Sequence, residues 1–256
     1  MKWRLCAGTA AGLIGAVLAA GAAAAGDLPR GYVYLRDADA SIVQEIRYAS
    51  AENFIGRVVA GYEAAECILA GGTAAALVRA QQVLKQQGLT LKVFDCYRPA
   101  VAVEDFIAWS ENTREPGKPF FFPTTDKQAL FAAGYLSKVS AHSKGNTVDV
   151  GIARLGESAW RPRPRATPDG VCTAAGVNAF DGTLDFGTSY DCLDAASATH
   201  SARVSAEARS NRRFLERTMR LAGFRNYPRE WWHFEFAAEA HLPRQSFPIK
   251  ARPARE

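Results

Sequence analysis

The sequence predicts a single α+β domain, and three observations carry that prediction. Helical and strand-like patterns mix along the chain without the strand–helix–strand alternation that builds a parallel sheet. The 256 residues are 48% hydrophobic and 22% charged, enough to bury one sizeable core and too apolar for a disordered chain. Beyond residue 26 no apolar run is long enough to cross a bilayer, which excludes a polytopic membrane protein.

The elements follow in order. Thr73 to Gln87 is expected to be helical, because Ala76, Leu77, Ala80, Val83 and Leu84 keep the i, i+3/i+4 rhythm; Thr73 is a possible cap and Gly88 the stop. Leu89 to Phe94 alternates and reads as a strand running into Asp95-Cys96-Tyr97-Arg98-Pro99. Val101 to Ser110 reads as a helix, and Pro116 to Pro123 as a loop. Lys144-Gly145-Asn146 is turn chemistry, and Thr147 to Ile152 is a β-branched, alternating strand. Arg161 to Gly170, with three prolines and three arginines, reads as a loop too short to link domains. Ser205 to Leu221 is a helix with Phe214, Leu215, Met219 and Ala222 inward and Gly223 closing it. Trp232, Phe234 and Phe236 form one apolar strand face opposite Trp231, His233 and Glu235, and Lys250 to Glu256 reads as a solvated tail.

The amino terminus reads as a leader. Lys2 and Arg4 give a basic start, Leu5 to Gly26 carries no charge, and Ala22 to Ala25 supply the small residues of a cleavage site. Residues 1–26 are therefore expected to be a signal peptide and 27–256 the functional domain, periplasmic or secreted, with no stable membrane insertion after cleavage. Outside the leader 29 basic residues face 26 acidic ones, a surplus too small to argue for nucleic acid. In an oxidising compartment the four cysteines left after Cys6 read as two disulfides. Cys172 and Cys192 staple a Gly/Asp/Thr-rich loop, which leaves Cys67 with Cys96. No Cys-x-x-Cys spacing suggests a thiolate metal site.

The chemistry gathers around two of the four histidines. His142 lies just across a turn from Asp149, which sits on the face of its strand opposite Val148, Val150 and Ile152. His233 lies among bulky aromatics, which would hold its ring in one orientation. Glu230, three residues earlier, acts beside it only if it precedes the regular pleat, which nearby Pro228 allows. Two histidines and one aspartate make a three-ligand set with one tetrahedral position open, the mark of catalytic rather than structural zinc. A carboxylate nearby supplies a general base, and Arg98, placed by the stiff Arg-Pro step, a fixed positive charge. The helical His-Glu-x-x-His arrangement is absent. His200 and His241 are expected at the surface or behind the site, Asp95 as a support for the strand end near Arg98, and Glu235 as a solvated strand position.

Several motifs together resemble a known family. Ser140-x-His142-x-x-Gly145-x-x-x-Asp149, Glu230-x-x-His233 and Phe94-Asp95-Cys96-Tyr97-Arg98-Pro99 are similar to the zinc D-alanyl-D-alanine dipeptidases of the wider D,D-peptidase family. Tyr48-Ala49-Ser50-Ala51-Glu52-Asn53-Phe54-Ile55-Gly56 and Leu184-Asp185-Phe186-Gly187-Thr188-Ser189-Tyr190-Asp191 resemble two further family segments. The resemblance covers almost the whole chain after the leader. It implies a small antiparallel sheet flanked by helices, the zinc fold shared with Hedgehog signalling domains. It further implies one zinc ion per chain held by His142, Asp149 and His233, Glu230 as general acid/base and Arg98 stabilising the oxyanion. Asp191, with Tyr48 and Ser140, would bind the substrate, Asp191 receiving its ammonium. Thr147 stands in place of Ala, Tyr190 in place of Phe and Phe186 in place of Met. The activity implied is hydrolysis of D-Ala-D-Ala, a small-molecule substrate, to free D-Ala. The alternatives are a D,D-carboxypeptidase acting on peptidoglycan stems and a zinc-stabilised binding module without catalysis, against which Glu230 and Arg98 argue. Export points to turnover or scavenging of wall dipeptides.

Overall fold

A computed structural model describes residues 28–156 and 170–253. The leader at 1–26, Cys6 and most of the Arg161 to Gly170 loop lie outside the described residues. The elements are β1 (Tyr32–Tyr34), α1 (Leu35–Ala38), β2 (Val43–Gln44), β3 (Ile68–Ala70), α2 (Gly71–Lys85), β4 (Leu89–Asp95), α3 (Ala100–Glu111), β5 (Thr147–Arg154), α4 (Asn178–Asp181), α5 (Ala206–Leu221), β6 (Phe224–Asn226) and β7 (His233–Phe236).

Five strands form one sheet in the order β2-β4-β5-β7-β6, while β1 and β3 pair separately. Every pairing is antiparallel except the two-residue edge contact of β2 with β4. The α+β prediction thus holds, with one short parallel edge added. Cross-strand partners share a face, so Leu91, Val93, Val148, Val150, Ile152 and Phe234 form one buried apolar surface. The other face carries Lys92, Gly151, Asp149 and His233 in register. A bulge between Val93 and Asp95 inserts one residue into β4, so that Asp95, Asp149 and His233 align across three adjacent strands.

Helix α2 buries Ala76, Leu77, Ala80 and Leu84 and packs on β4 and α5. It begins before the expected Thr73 cap: the Glu239 carboxylate accepts the backbone N–H groups of Gly72 and Thr73 and the Thr73 hydroxyl, capping the helix from a distant segment. Helix α5 buries Leu215 and Met219 and is capped by Ser205 Oγ, which accepts from Ala208 N at 3.0 Å. Two further expectations change. Strand β7 starts only at His233, so Trp231 lies in the preceding turn, stacked on Phe186 at 4.1 Å and donating its indole N–H to Thr188 Oγ1. The expected carboxyl-terminal tail is tethered at its start, with Tyr34 O–H donating to the Lys250 carbonyl at 3.3 Å and Arg252 Nη1 2.6 Å from Asp37 Oδ1. Ala251 and Pro253 are exposed as expected, and residues 254–256 lie outside the described residues.

Two buried features fix the walls around the site. Tyr48, Phe54, Tyr62, Phe106 and Trp109 pack largely edge to face at 5.0–6.0 Å between ring centroids, contacts worth about 0.5–1.5 kcal/mol each beyond area burial. On the face of the sheet that carries Lys92, Arg47 pairs with Glu45 and with Asp181 (2.8 Å), and Lys92 pairs with Glu45 (2.5 Å). Asp181 also accepts from Ser189 Oγ and from the backbone N–H of Tyr190, both at 3.2 Å, so this ionic cluster anchors the segment leading to Asp191.

Candidate active site

His142 sits on a short 3-10 turn, Ala141–Lys144, whose N-cap Ser140 accepts the backbone N–H of His142 at 3.2 Å. Gly145 ends that turn with φ 76°, and a Cβ there would run into the Tyr32 ring and lie 3.2 Å from Ala70 N. Both demands call for glycine, which accounts for its place in the motif. The ring of His142 is held by the Cys96 carbonyl, which accepts from Nδ1 at 2.7 Å. Its protonated Nδ1 leaves Nε2 as the lone-pair nitrogen, and that atom lies 3.2 Å from Asp149 Oδ1.

Asp149 and His233 face each other across β5 and β7. His233 Nδ1 lies 3.1 Å from Asp149 Oδ1 and 3.2 Å from His142 Nε2. The three residues offer one donor atom each, all within 4.8 Å of one another, and form a group able to hold a metal ion. Burial would raise the Asp149 pKa, but the neighbouring imidazoles of His142 and His233 overcome that and hold it well below the carboxylate range. Burial likewise opposes charge on His233, but the hydrogen bond and charge of Asp149, together with the Glu230 charge, outweigh it and raise its pKa.

Glu230 lies in the turn before β7, as the sequence spacing requires, with Oε2 3.7 Å from His233 Nδ1. That turn is held by Glu230 N donating to Tyr227 O and by Asn226 Nδ2 donating to Glu230 O, both at 3.0 Å. Burial pushes the Glu230 pKa up to about 7 against the pull of His233, with the Asp149 charge reinforcing the rise.

Arg98 leaves the end of β4 and donates from Nε and Nη2 to Asp95 Oδ2 at 2.9 and 2.8 Å. Tyr62 O–H donates to the other Asp95 oxygen at 2.6 Å. The guanidinium lies over the Tyr48 and Phe106 rings at 5.1 and 5.3 Å, and its Nη2 comes within 3.6 Å of Asp149 Oδ2. Asp95, expected to be a support for the strand end, thus holds Arg98 directly. Asp191 lies across the cavity with φ 59°, and its Oδ2 accepts from Tyr48 O–H at 2.8 Å. Burial, and after it the Asp149 charge, push the Asp191 pKa well up.

Tyr48, Arg98, His142, Asp149, Asp191, Glu230 and His233 all open onto one cavity of about 380 Å³, with Ser140 at its wall. His200 and His241 stand apart on the surface. Both disulfides form as expected, Cys67 with Cys96 and Cys172 with Cys192. Each ends beside the site: Cys96 supplies the carbonyl that orients His142, and Cys192 follows Asp191. Three contributors were not legible as such: the Cys96 carbonyl, Tyr62 behind Asp95, and the Tyr190 hydroxyl, 3.2 Å from Asp149 Oδ2. Only Tyr190 left a sequence signal, as a departure beside Asp191. Asn53, from the motif after Tyr48, organises its loop, donating to the carbonyls of Ser50 and Arg57 and accepting the N–H groups of Ile55 and Gly56.

Comparison with known proteins identifies the family. The chain is 27% identical over 222 residues to a D-alanyl-D-alanine dipeptidase of Enterococcus faecium, covering 86% of this chain and 98% of that one. It is 29% identical over 211 residues to one of Streptomyces coelicolor, covering 82% and 93%, and 25% identical over 202 residues to one of Escherichia coli K12, covering 78% and 81%. The M15 peptidase family model, described as D-ala-D-ala dipeptidase, matches residues 30–160 and 178–251, most of the chain including every residue of the cavity named above, and the chain therefore belongs to that family.

Proposed function

We propose that this chain is a zinc metallopeptidase that hydrolyses D-Ala-D-Ala to free D-Ala. The observation that carries the reading is the convergence of His142 Nε2, His233 Nδ1 and Asp149 Oδ1 on one point of a cavity that also holds Glu230. Two imidazole nitrogens and one carboxylate oxygen are a donor set suited to zinc, and the hydrogen bond from His142 Nδ1 to Cys96 O supplies the outer support such a ligand needs. Bound there, zinc would act as a Lewis acid toward the scissile carbonyl and the attacking water.

The chain's own residues do the rest. Glu230, with a pKa near neutrality, takes a proton from the water and delivers it to the leaving amine. Arg98, pinned by Asp95 and lying over the Tyr48 and Phe106 rings, keeps its charge fixed where the oxyanion develops, and that charge needs no reorganisation during the reaction. Asp191, buried and held by Tyr48, is the partner for the ammonium of a free dipeptide, whose arriving positive charge favours the ionised carboxylate that burial alone disfavours. Ser140 accepts from His142 N and keeps its own proton to donate to the substrate. Residues 1–26 act as a cleavable signal, and the two disulfides fit an oxidising compartment, so the enzyme works in the periplasm or outside the cell on wall-derived dipeptides.

The test is to give the purified protein D-Ala-D-Ala, L-Ala-L-Ala and an N-acyl-D-Ala-D-Ala, with and without a chelator. Chelator-sensitive turnover of D-Ala-D-Ala is expected, and Asp191→Asn should lower it far more than turnover of the N-acyl compound, which lacks the ammonium. Equal losses on both substrates favour a carboxypeptidase acting on wall peptides, and turnover that survives complete metal removal refutes the metallopeptidase reading.

A further inference from the structure

The two oxygens of Asp149 meet different surroundings. Oδ1 faces the imidazole nitrogens of His142 and His233, at 3.2 and 3.1 Å. Oδ2 points the other way, 3.2 Å from the Tyr190 hydroxyl and 3.6 Å from Arg98 Nη2. Tyr190 is itself fixed. It is fully buried, its ring stacks on Phe94 at 4.6 Å with 10° between the planes, and it meets the Trp232 ring edge-on at 5.6 Å. Its backbone N–H donates to Asp181, itself paired with Arg47. Burial and the carboxylates of Asp191 and Asp149 hold the phenol neutral, so toward a carboxylate oxygen it can only donate.

We propose that Tyr190 is a positioning residue for the metal: its hydroxyl holds Asp149 Oδ2 away, so that Asp149 presents a single oxygen, Oδ1, to the ion. This rests on the metal site proposed above and adds to it a residue from outside the ligand set. A carboxylate with a tethered distal oxygen is pre-oriented before the ion arrives, and it cannot swing its second oxygen onto the position a reactant needs. Phenylalanine keeps the ring and its stack on Phe94 and removes only this donor. The substitution Tyr190→Phe therefore isolates the hydroxyl. Loss of an outer hydrogen bond to a metal ligand commonly costs about 10–100-fold in metal affinity.

The experiment measures the zinc dissociation constant of the wild-type chain and of Tyr190→Phe by competition with a chromophoric chelator at 25 °C. It is paired with thermal unfolding of both metal-free proteins. Tyr190→Phe should bind zinc about 10–100-fold more weakly, while its metal-free form melts within roughly 2–4 °C of wild type, the shift of one lost hydrogen bond. A purely structural role lowers the melting temperature and leaves zinc affinity at 25 °C, where both proteins are folded, unchanged. A loss of affinity smaller than tenfold overturns the role of Tyr190. If the wild-type chain itself takes up no zinc, it is the metal-site reading that fails.

Discussion

Replacing Glu230 by Gln gives a quantitative test of the electrostatics of the cavity. In the fold the carboxyl has a pKa of about 7, against an ordinary value of 4.5, chiefly because burial penalises its charged form. Each pH unit between those values corresponds to about 1.4 kcal/mol, so ionising Glu230 inside the metal-free fold costs about 3 kcal/mol. The sign follows from the direction of the shift. Below pH 4.5 the group is protonated both folded and unfolded, and it exacts no penalty. Between pH 4.5 and 7 the unfolded chain releases the proton while the fold retains it, and stability falls with rising pH. Above pH 7 the full penalty is in place. Glutamine carries no such proton, so the metal-free Glu230→Gln protein should match wild type near pH 4.5 and exceed it by about 3 kcal/mol at pH 8. Urea unfolding of both proteins after chelation, at pH 4.5, 6 and 8, measures the difference directly, because every other titrating group is common to the pair. Stability curves that run parallel across this range would refute the account of Glu230 as a carboxyl held near neutrality by burial. In the zinc-loaded protein the same substitution should keep the metal and lower turnover by about 10²–10⁴.

Two further variants probe what surrounds the cavity. Arg98→Ala should slow turnover by about 10²–10³ with zinc content unchanged in elemental analysis, as expected for loss of an oxyanion donor; loss of the metal along with activity would instead make Arg98 a support for Asp149. Replacing Cys67 and Cys96 together by Ala removes a bridge across a separation of 29 residues, worth about 3–4 kcal/mol in the chain-entropy account. Because the Cys96 carbonyl orients His142, zinc affinity should fall as well, and chelator competition on the folded variant checks it.

Much of the arrangement is legible in the sequence because it is local. Helices α2, α3 and α5 and strands β4 and β5 each span enough residues to show a period, and the turn at Lys144–Asn146 announces the placement of His142 relative to Asp149. What is not legible depends on distant partners. Strands β1, β2, β3 and β6 are two or three residues long, too short to carry an alternation. The bulge that brings Asp95 into line with Asp149 exists only in the pairing of β4 with β5. Helix α2 starts where Glu239 receives its first N–H groups, and no pattern near residue 71 reveals a cap more than 160 positions away. Trp231 reads as a strand residue by alternation, but the turn that brings Glu230 to His233 takes it out of the pleat. Its large ring is then buried against Phe186.

The pairing of Asp149 directly opposite His233 has one more consequence. Side chains alternate along a strand, so sliding β7 past β5 by a single position would set Phe234 against Asp149 and turn the imidazole away. A chain folded in that shifted arrangement could still bury its aromatics, yet it would have no grip on a cation. An ion that binds only the correctly aligned form favours it by about 2.7 kcal/mol at a hundred times its dissociation constant. Whatever the ion contributes to chemistry, it would also act as a gauge of strand alignment, drawing the population toward the one threading that can use it.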